Sequence, residues 1–174
     1  GSEAYRRDLS KDEIDALMPF YENGMEKGGF EAGIRTAVEA ILASPNFVFR
    51  LERQPDNVMP GETYRLGDTD LASRLSFFLW GTPPDDELQS IAAEGKLSAP
   101  GELERQAQRM LKDPRAEALG VRFAGQWFRL QDLYKVRPDP NFYPNFDENI
   151  ADAMRRETEL FFNHLVAEDR SVLE

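Results

Sequence analysis

Apolar side chains recur every three or four residues along most of this chain, and that spacing admits one kind of structure. Ile14, Leu17, Met18 and Tyr21 form one set, Phe30, Ile34, Ala37, Val38, Ile41 and Leu42 a second, and Leu71, Ala72, Leu75, Phe78 and Leu79 a third. The period is that of one face of an α-helix. No run of alternating polar and β-branched residues is long enough for a sheet, apart from an extended pair near Tyr64 and Leu66. The expected fold is therefore all-α: a multi-helix bundle of about seven or eight helices in two packed helical units.

Caps and breakers divide the pattern. Ser10-Lys11-Asp12-Glu13 fits a capping box and starts a helix, which Pro19 should kink or divide and which Gly24, Gly28 and Gly29 should end. Ser44-Pro45 opens a short helix through Phe47 and Phe49. Residues 1–52 thus read as an N-terminal helical unit, 53–67, with Pro55, Pro60 and Gly61, as a connection, and 68–174 as the main helical bundle. Within the bundle Asp68 should cap a helix whose Phe77 and Trp80 make it apolar nearly all round, suited to a central position. Thr82-Pro83-Pro84 should start the next helix and Gly95 with Leu97 close it, while Ser98 should cap a further one. After Asp113-Pro114 a long helix with Ala118, Leu119, Val121, Phe123, Trp127 and Phe128 on one face should pack deeply. The segment from Arg137 to Phe146 should lie flat with its aromatics covered, and Asp147 should cap a last helix presenting Ile150, Met154, Phe161 and Leu165. Gly1-Ser2 reads as the scar of a cleaved tag, and Ser171 as the cap of a helix that does not follow. On that reading the chain is cut from a longer protein, with the bundle truncated at its C-terminus.

Composition narrows the function classes. The chain has 174 residues, no cysteine and one histidine, which excludes disulfides, thiolate metal sites and covalently attached c-type haem here. Thirty-two acidic side chains against 21 basic ones, a net charge of −11, argue against nucleic acid as a ligand, because phosphate binding needs a basic surface. No apolar stretch is long enough to span a bilayer as a helix.

The candidate polar cluster is Arg74, Asp85, Asp86, Glu157, Glu159 and His164. His164 and Glu157 share a helix face, but seven residues separate them by about 10 Å along the axis, and a metal site wants three or four ligands. No metal and no cofactor are expected in this segment. Asp85 and Asp86, with Glu87, read as first-turn acids at a helix start more readily than as an acid–base or calcium site. Paired carboxylates drawn from Asp85, Asp86, Glu157 and Glu159 would be the least implausible catalytic set, for glycoside hydrolysis. Arg74, inside an otherwise apolar helix, should pair with an acid such as Glu157 or Asp85 as a structural bridge. Trp80 and Trp127 belong to the residue type that stacks on sugars, yet aromatics at helical spacing read first as core. Neither a phosphate-binding glycine pattern nor a Gly-x-Ser-x-Gly elbow is present.

Two stretches resemble something known. Tyr5-Arg6-Arg7 through Ile41-Leu42-Ala43-Ser44-Pro45-Asn46-Phe47-Val48-Phe49-Arg50 resembles one domain of unknown function. Leu71-Ala72-Ser73-Arg74-Leu75-Ser76-Phe77-Phe78-Leu79-Trp80 with Pro84-Asp85-Asp86-Glu87-Leu88 resembles the domain that normally follows it, in planctomycete-type proteins that accompany c-type cytochrome modules. Phe123-Ala124-Gly125-Gln126-Trp127 and Phe142-Tyr143-Pro144-Asn145-Phe146-Asp147 extend the likeness toward the C-terminus. The resemblance implies an exported, extracytoplasmic protein, periplasmic or secreted, with neighbouring domains of the same polypeptide, a c-type cytochrome domain among them, as partners. It carries no catalytic residue set. The expected function is a non-catalytic helical module that positions its neighbours; the alternative is a carboxylate-dependent hydrolase domain acting on an exported polysaccharide-like substrate.

Overall fold

In the computed structural model, which describes residues 1–55 and 57–173, the described residues form nine α-helices and no strand, as the periodicity requires. These are α1 Ser2–Tyr5, α2 Lys11–Ala43, α3 Pro45–Val48, α4 Asp68–Leu79, α5 Asp86–Ala93, α6 Glu102–Leu111, α7 Glu117–Leu119, α8 Gly125–Trp127 and α9 Glu148–Glu168. A π-helical turn, Gly120–Ala124, joins α7 to α8, and 3-10 turns occupy Pro114–Ala116 and Leu130–Lys135. Contacts gather the chain into two compact units, Gly1–Leu75 with Pro83–Glu102 and Ser76–Thr82 with Leu103–Glu174, so α4 contributes to both.

The first unit is built on a helical hairpin. Ser10 forms the expected box: its hydroxyl accepts from the Glu13 amide at 3.2 Å, and its own amide donates to the Glu13 carboxylate at 2.9 Å. Helix α2 runs through Pro19 without a break in its helical dihedrals, contrary to expectation. Pro19 is exposed, so water can meet the carbonyl that its ring leaves unbonded. The break falls at Gly28 and Gly29, the latter at φ 75°, where a side chain would be strained. The two arms then close on their small residues. A Cβ built on Gly24 would meet the Ala32 carbonyl oxygen at 2.5 Å, and one on Gly33 the Tyr21 ring at 2.8 Å.

Arginines lock this hairpin to its neighbours. The Arg6 guanidinium donates to the carbonyls of Asn46 (2.7 Å), Phe49 (2.9 Å) and Phe47 (3.3 Å), capping the end of α3. Arg7 makes a two-pronged bond to Glu13 at 2.6 and 2.7 Å, and Asn46 Nδ2 donates to the same carboxylate at 3.3 Å. Two expected caps act differently. Asp68 lies inside the first turn of α4, and its carboxylate accepts from the amide and hydroxyl of Ser98, so that Ser98 ties down a loop and caps no helix. At the end of α5, Gly95 adopts φ 68° and Leu97 is fully buried, the glycine stop with apolar contact that the sequence suggested.

In the second unit Trp80 is the anchor. Its ring is 2% exposed, and its indole N–H donates to the Met110 carbonyl at 2.9 Å. Gly81, at φ 73°, ends α4; Arg122 lies against it and donates to the Phe77 carbonyl at 3.4 Å, so a side chain there would collide with the guanidinium. The expected long helix after Pro114 is instead split into α7, the π turn and α8. The π turn sets Gly120 against Asn163 of α9, too close for any Cβ, while Asn163 donates to the Glu117 carbonyl at 3.4 Å.

Burial departs from expectation on several faces. Leu119 and Ala124 are buried, but Val121, Phe123, Trp127 and Phe128 are exposed. Phe142 and Tyr143 also stand in solvent, so the loop does not cover its aromatics. On α9, which Asp147 caps by accepting from the Ile150 amide at 2.9 Å, the buried residues are Ala151 and Glu159. The row of Ile150, Met154 and Phe161 is exposed instead. On the two helical stretches period three to four identifies an apolar face but not which element covers it.

Candidate functional site

Each polar residue singled out in the sequence occupies a local structural position. Arg74 does pair with an acid, but the partner is Glu52, at 2.6 Å, and the guanidinium is largely exposed, so the bridge to Glu157 or Asp85 is not formed. The α4 face at that position looks to water, which removes the need to neutralise a buried charge. Asp85 is the N-cap of α5, its carboxylate accepting from the Leu88 amide at 3.1 Å, and Asp86 is exposed in the first turn beside it. Asp86 also lines a cleft with Glu3, Pro83, Pro84 and Gln89.

The other three lie on α9. Glu157 is exposed, and the His164 Nδ1 atom lies 3.3 Å from Glu168, one turn further along. Glu159 alone is enclosed, 5% exposed, between Arg155 at 3.7 Å and Arg156 at 3.6 Å. Arg156 also bonds Glu117 at 2.5 Å, and that bond, with a smaller contribution from Glu159, raises the guanidinium above its ordinary value. Beside them Tyr134 donates to Asp152 and lies under Arg155, the Asp152 bond raising the phenol above its usual range. The network holds α9 to the turns at Glu117 and Tyr134 and leaves Glu159 enclosed by two cations, where it serves as an anchor. Glu157 and Glu159, two residues apart on a helix, point to different sides and do not face one another. Among the described residues no group of three or more His, Asp or Glu side chains is gathered as a metal site would need.

What the second unit does present is an aromatic surface. Phe123 stacks on Trp127 with ring centroids 5.6 Å apart at 25°, meets Phe78 edge-on at 6.4 Å, and touches Phe162 at 5.8 Å. Trp127 is 71% exposed and Phe78 57%. Trp80 thus fulfils the expectation of an aromatic in the core, and Trp127 corrects it.

Residues 66–174 match the family described as protein of unknown function (DUF1592), and residues 1–52 match another, protein of unknown function (DUF1595). The chain belongs to the DUF1592 family. No curated protein and no solved structure matches it. The DUF1592 match spans the Trp80 anchor, the aromatic surface and the Glu159 network; the DUF1595 match spans the Arg6 and Arg7 clamps. Those clamps escaped the reading of the sequence. The available signal was a pair of adjacent arginines, in a strongly acidic chain, standing just before a capping glutamate.

Proposed function

We propose that this chain is a non-catalytic helical module of a larger exported, cytochrome-associated protein, and that it positions neighbouring domains through its exposed apolar faces. The observation that carries this reading is the Phe123–Trp127 stack, whose tryptophan stands 71% in solvent while its partners Phe78 and Phe162 extend the apolar area. Exposed, mutually supported aromatics are the residues that dominate binding energy where proteins meet. The identity of the neighbours rests on the resemblance of both halves of the chain to domains that accompany c-type cytochromes.

The test is a titration with a c-type cytochrome domain encoded in the same polypeptide, followed by tryptophan fluorescence. Quenching by the approaching haem is expected, and Trp127→Ala should weaken binding by about tenfold or more. Equal affinity of the two proteins would overturn the reading.

A further inference from the structure

The returning arm of the hairpin in the first unit carries an apolar row on the side away from the outgoing arm. Phe30, Ile34, Val38 and Leu42, each four residues from the next, are between 45% and 67% exposed. The closing contacts set the outgoing arm against Ala32, Gly33 and Thr36. At about 100° per residue the row is centred about 180° from the Ala32–Thr36 edge, so the outgoing arm leaves it clear. A row at steps of four is the ridge by which two helices most often interdigitate.

The charges beside this row select the second helix. Glu31, Arg35 and Glu39 form the adjoining row, about a quarter turn round, and all three are exposed. Arg35 is the one basic residue between Phe30 and Ala43, and among the described residues it has no ion pair, although a glutamate stands one turn to either side. Acid, base, acid is its own complement when a copy is reversed in the right register. A two-fold axis level with Ala37 makes two returning arms antiparallel and keeps their charged flanks on the same side. Each residue then faces the one equally far beyond Ala37, so Arg35 meets Glu39 of the second copy and Glu39 meets that copy's Arg35. Moved to the level of Arg35, the axis would set arginine on arginine. The Ala37 register also interleaves the apolar rows, since Val38 comes level with Thr36 of the second copy, between that copy's Ile34 and Val38.

We infer that this side of the returning arm seats a second copy of the chain, in an antiparallel two-fold dimer held by the Phe30, Ile34, Val38 and Leu42 rows and by two reciprocal Arg35–Glu39 pairs. A net charge of −11 on each copy opposes association, and the reciprocal pairs put attraction where the two chains come closest. An anionic lipid surface would meet two carboxylates there for one guanidinium. One helix pair covers less than the roughly 1,200 Å² of a standard interface, so the dimer is a reversible one. The inference goes beyond the proposed function, since it assigns a different surface in the other unit, with the chain itself as occupant.

The test is sedimentation of the whole chain from about 10 µM to about 1 mM, where a monomer–dimer equilibrium is expected. Arg35→Glu and Glu39→Arg should each weaken the dimer by about tenfold or more, because the two-fold axis makes one reversal spoil both pairs. An equimolar mixture of these two variants should regain the parent affinity, since each supplies the charge that the other lacks. The double variant should regain it as well. Val38→Asp should weaken the dimer by about tenfold or more, while Trp127→Ala should dimerise as the parent does. Helical circular dichroism checks that each variant is folded, and the charge reversals, at exposed positions, keep the test open if Val38→Asp is not. A monomer throughout the range, reversals without effect, or a mixture no better than its components would each overturn the inference. Loss of the dimer in Trp127→Ala would overturn it too, by moving the contact to the other unit. Binding of the cytochrome domain bears on none of these outcomes, so the two proposals fail separately.

Discussion

The Arg115 guanidinium lies 3.5 Å from the centroid of the Trp80 ring, and the same side chain grips Asp113 through Nε and Nη2 at 2.8 and 2.7 Å. Asp113 in turn accepts from the Arg115 amide, which starts the turn that carries the arginine. One residue thus joins a buried aromatic anchor to a helical start. Arg115→Ala should lower the unfolding free energy by about 1–2 kcal/mol, seen as an earlier urea midpoint at constant slope. Arg115→Lys should recover only part of it, because an ammonium cannot lie flat on an indole.

The hairpin contact separates two glycines. Gly24→Ala places a Cβ 2.5 Å from the Ala32 carbonyl oxygen and should cost about 1–3 kcal/mol. A Cβ at Gly125 meets nothing within 4 Å, and Gly125→Ala should gain up to about 1 kcal/mol from helix propensity. Thermal midpoints moving in opposite directions are the expected signature; a gain in both would contradict the close approach of the two arms.

Acid should loosen the first unit by a defined route. The Arg7 bond, with the Ser10 amide, holds the Glu13 carboxyl down to about 2, from an ordinary value of 4.5. A depressed carboxylate contributes stability that is complete above its unfolded pKa and lost as pH falls through its folded one. The contribution of Glu13 should therefore disappear between about pH 4.5 and 2. Glu13→Gln should be less stable at neutral pH and show a shallower fall across that window, measured by helical circular dichroism.

Arg6 supplies the carbonyls at the end of α3 with their partner. Arg6→Ala leaves those of Asn46, Phe47 and Phe49 to water and should cost about 1–3 kcal/mol. Amide exchange should quicken around Ser44 to Phe49, while the amides near Trp80 stay protected. Uniform quickening in both units would show that the arginine acts on the whole chain and not on one joint.

Much of the local structure was legible because its causes are local. Ser10 with Glu13, Ser44 with Pro45, Asp113 with Pro114, and Asp147 all start helical segments, and Gly95 ends one, through atoms only a few residues away. The candidate site was less legible. Asp85 and Asp86 sit at a helix start as read, but Glu159 is enclosed only because Arg155 and Arg156 close over it beside the turns at Glu117 and Tyr134. Ser98 looked like a cap and proved to be the tie to Asp68, thirty residues away.

The sequence by itself determined that this chain would be helical and where most of its segments begin and end, since caps, breakers and three-to-four spacing act over one or two turns. Only the tertiary structure decided which apolar faces are covered. Trp80 is sealed by Arg115 and Met110, while Trp127, equally aromatic and equally well spaced, stands in water. Burial depends on what arrives across space, and the period of a helix records only that a face is apolar, not what comes to meet it.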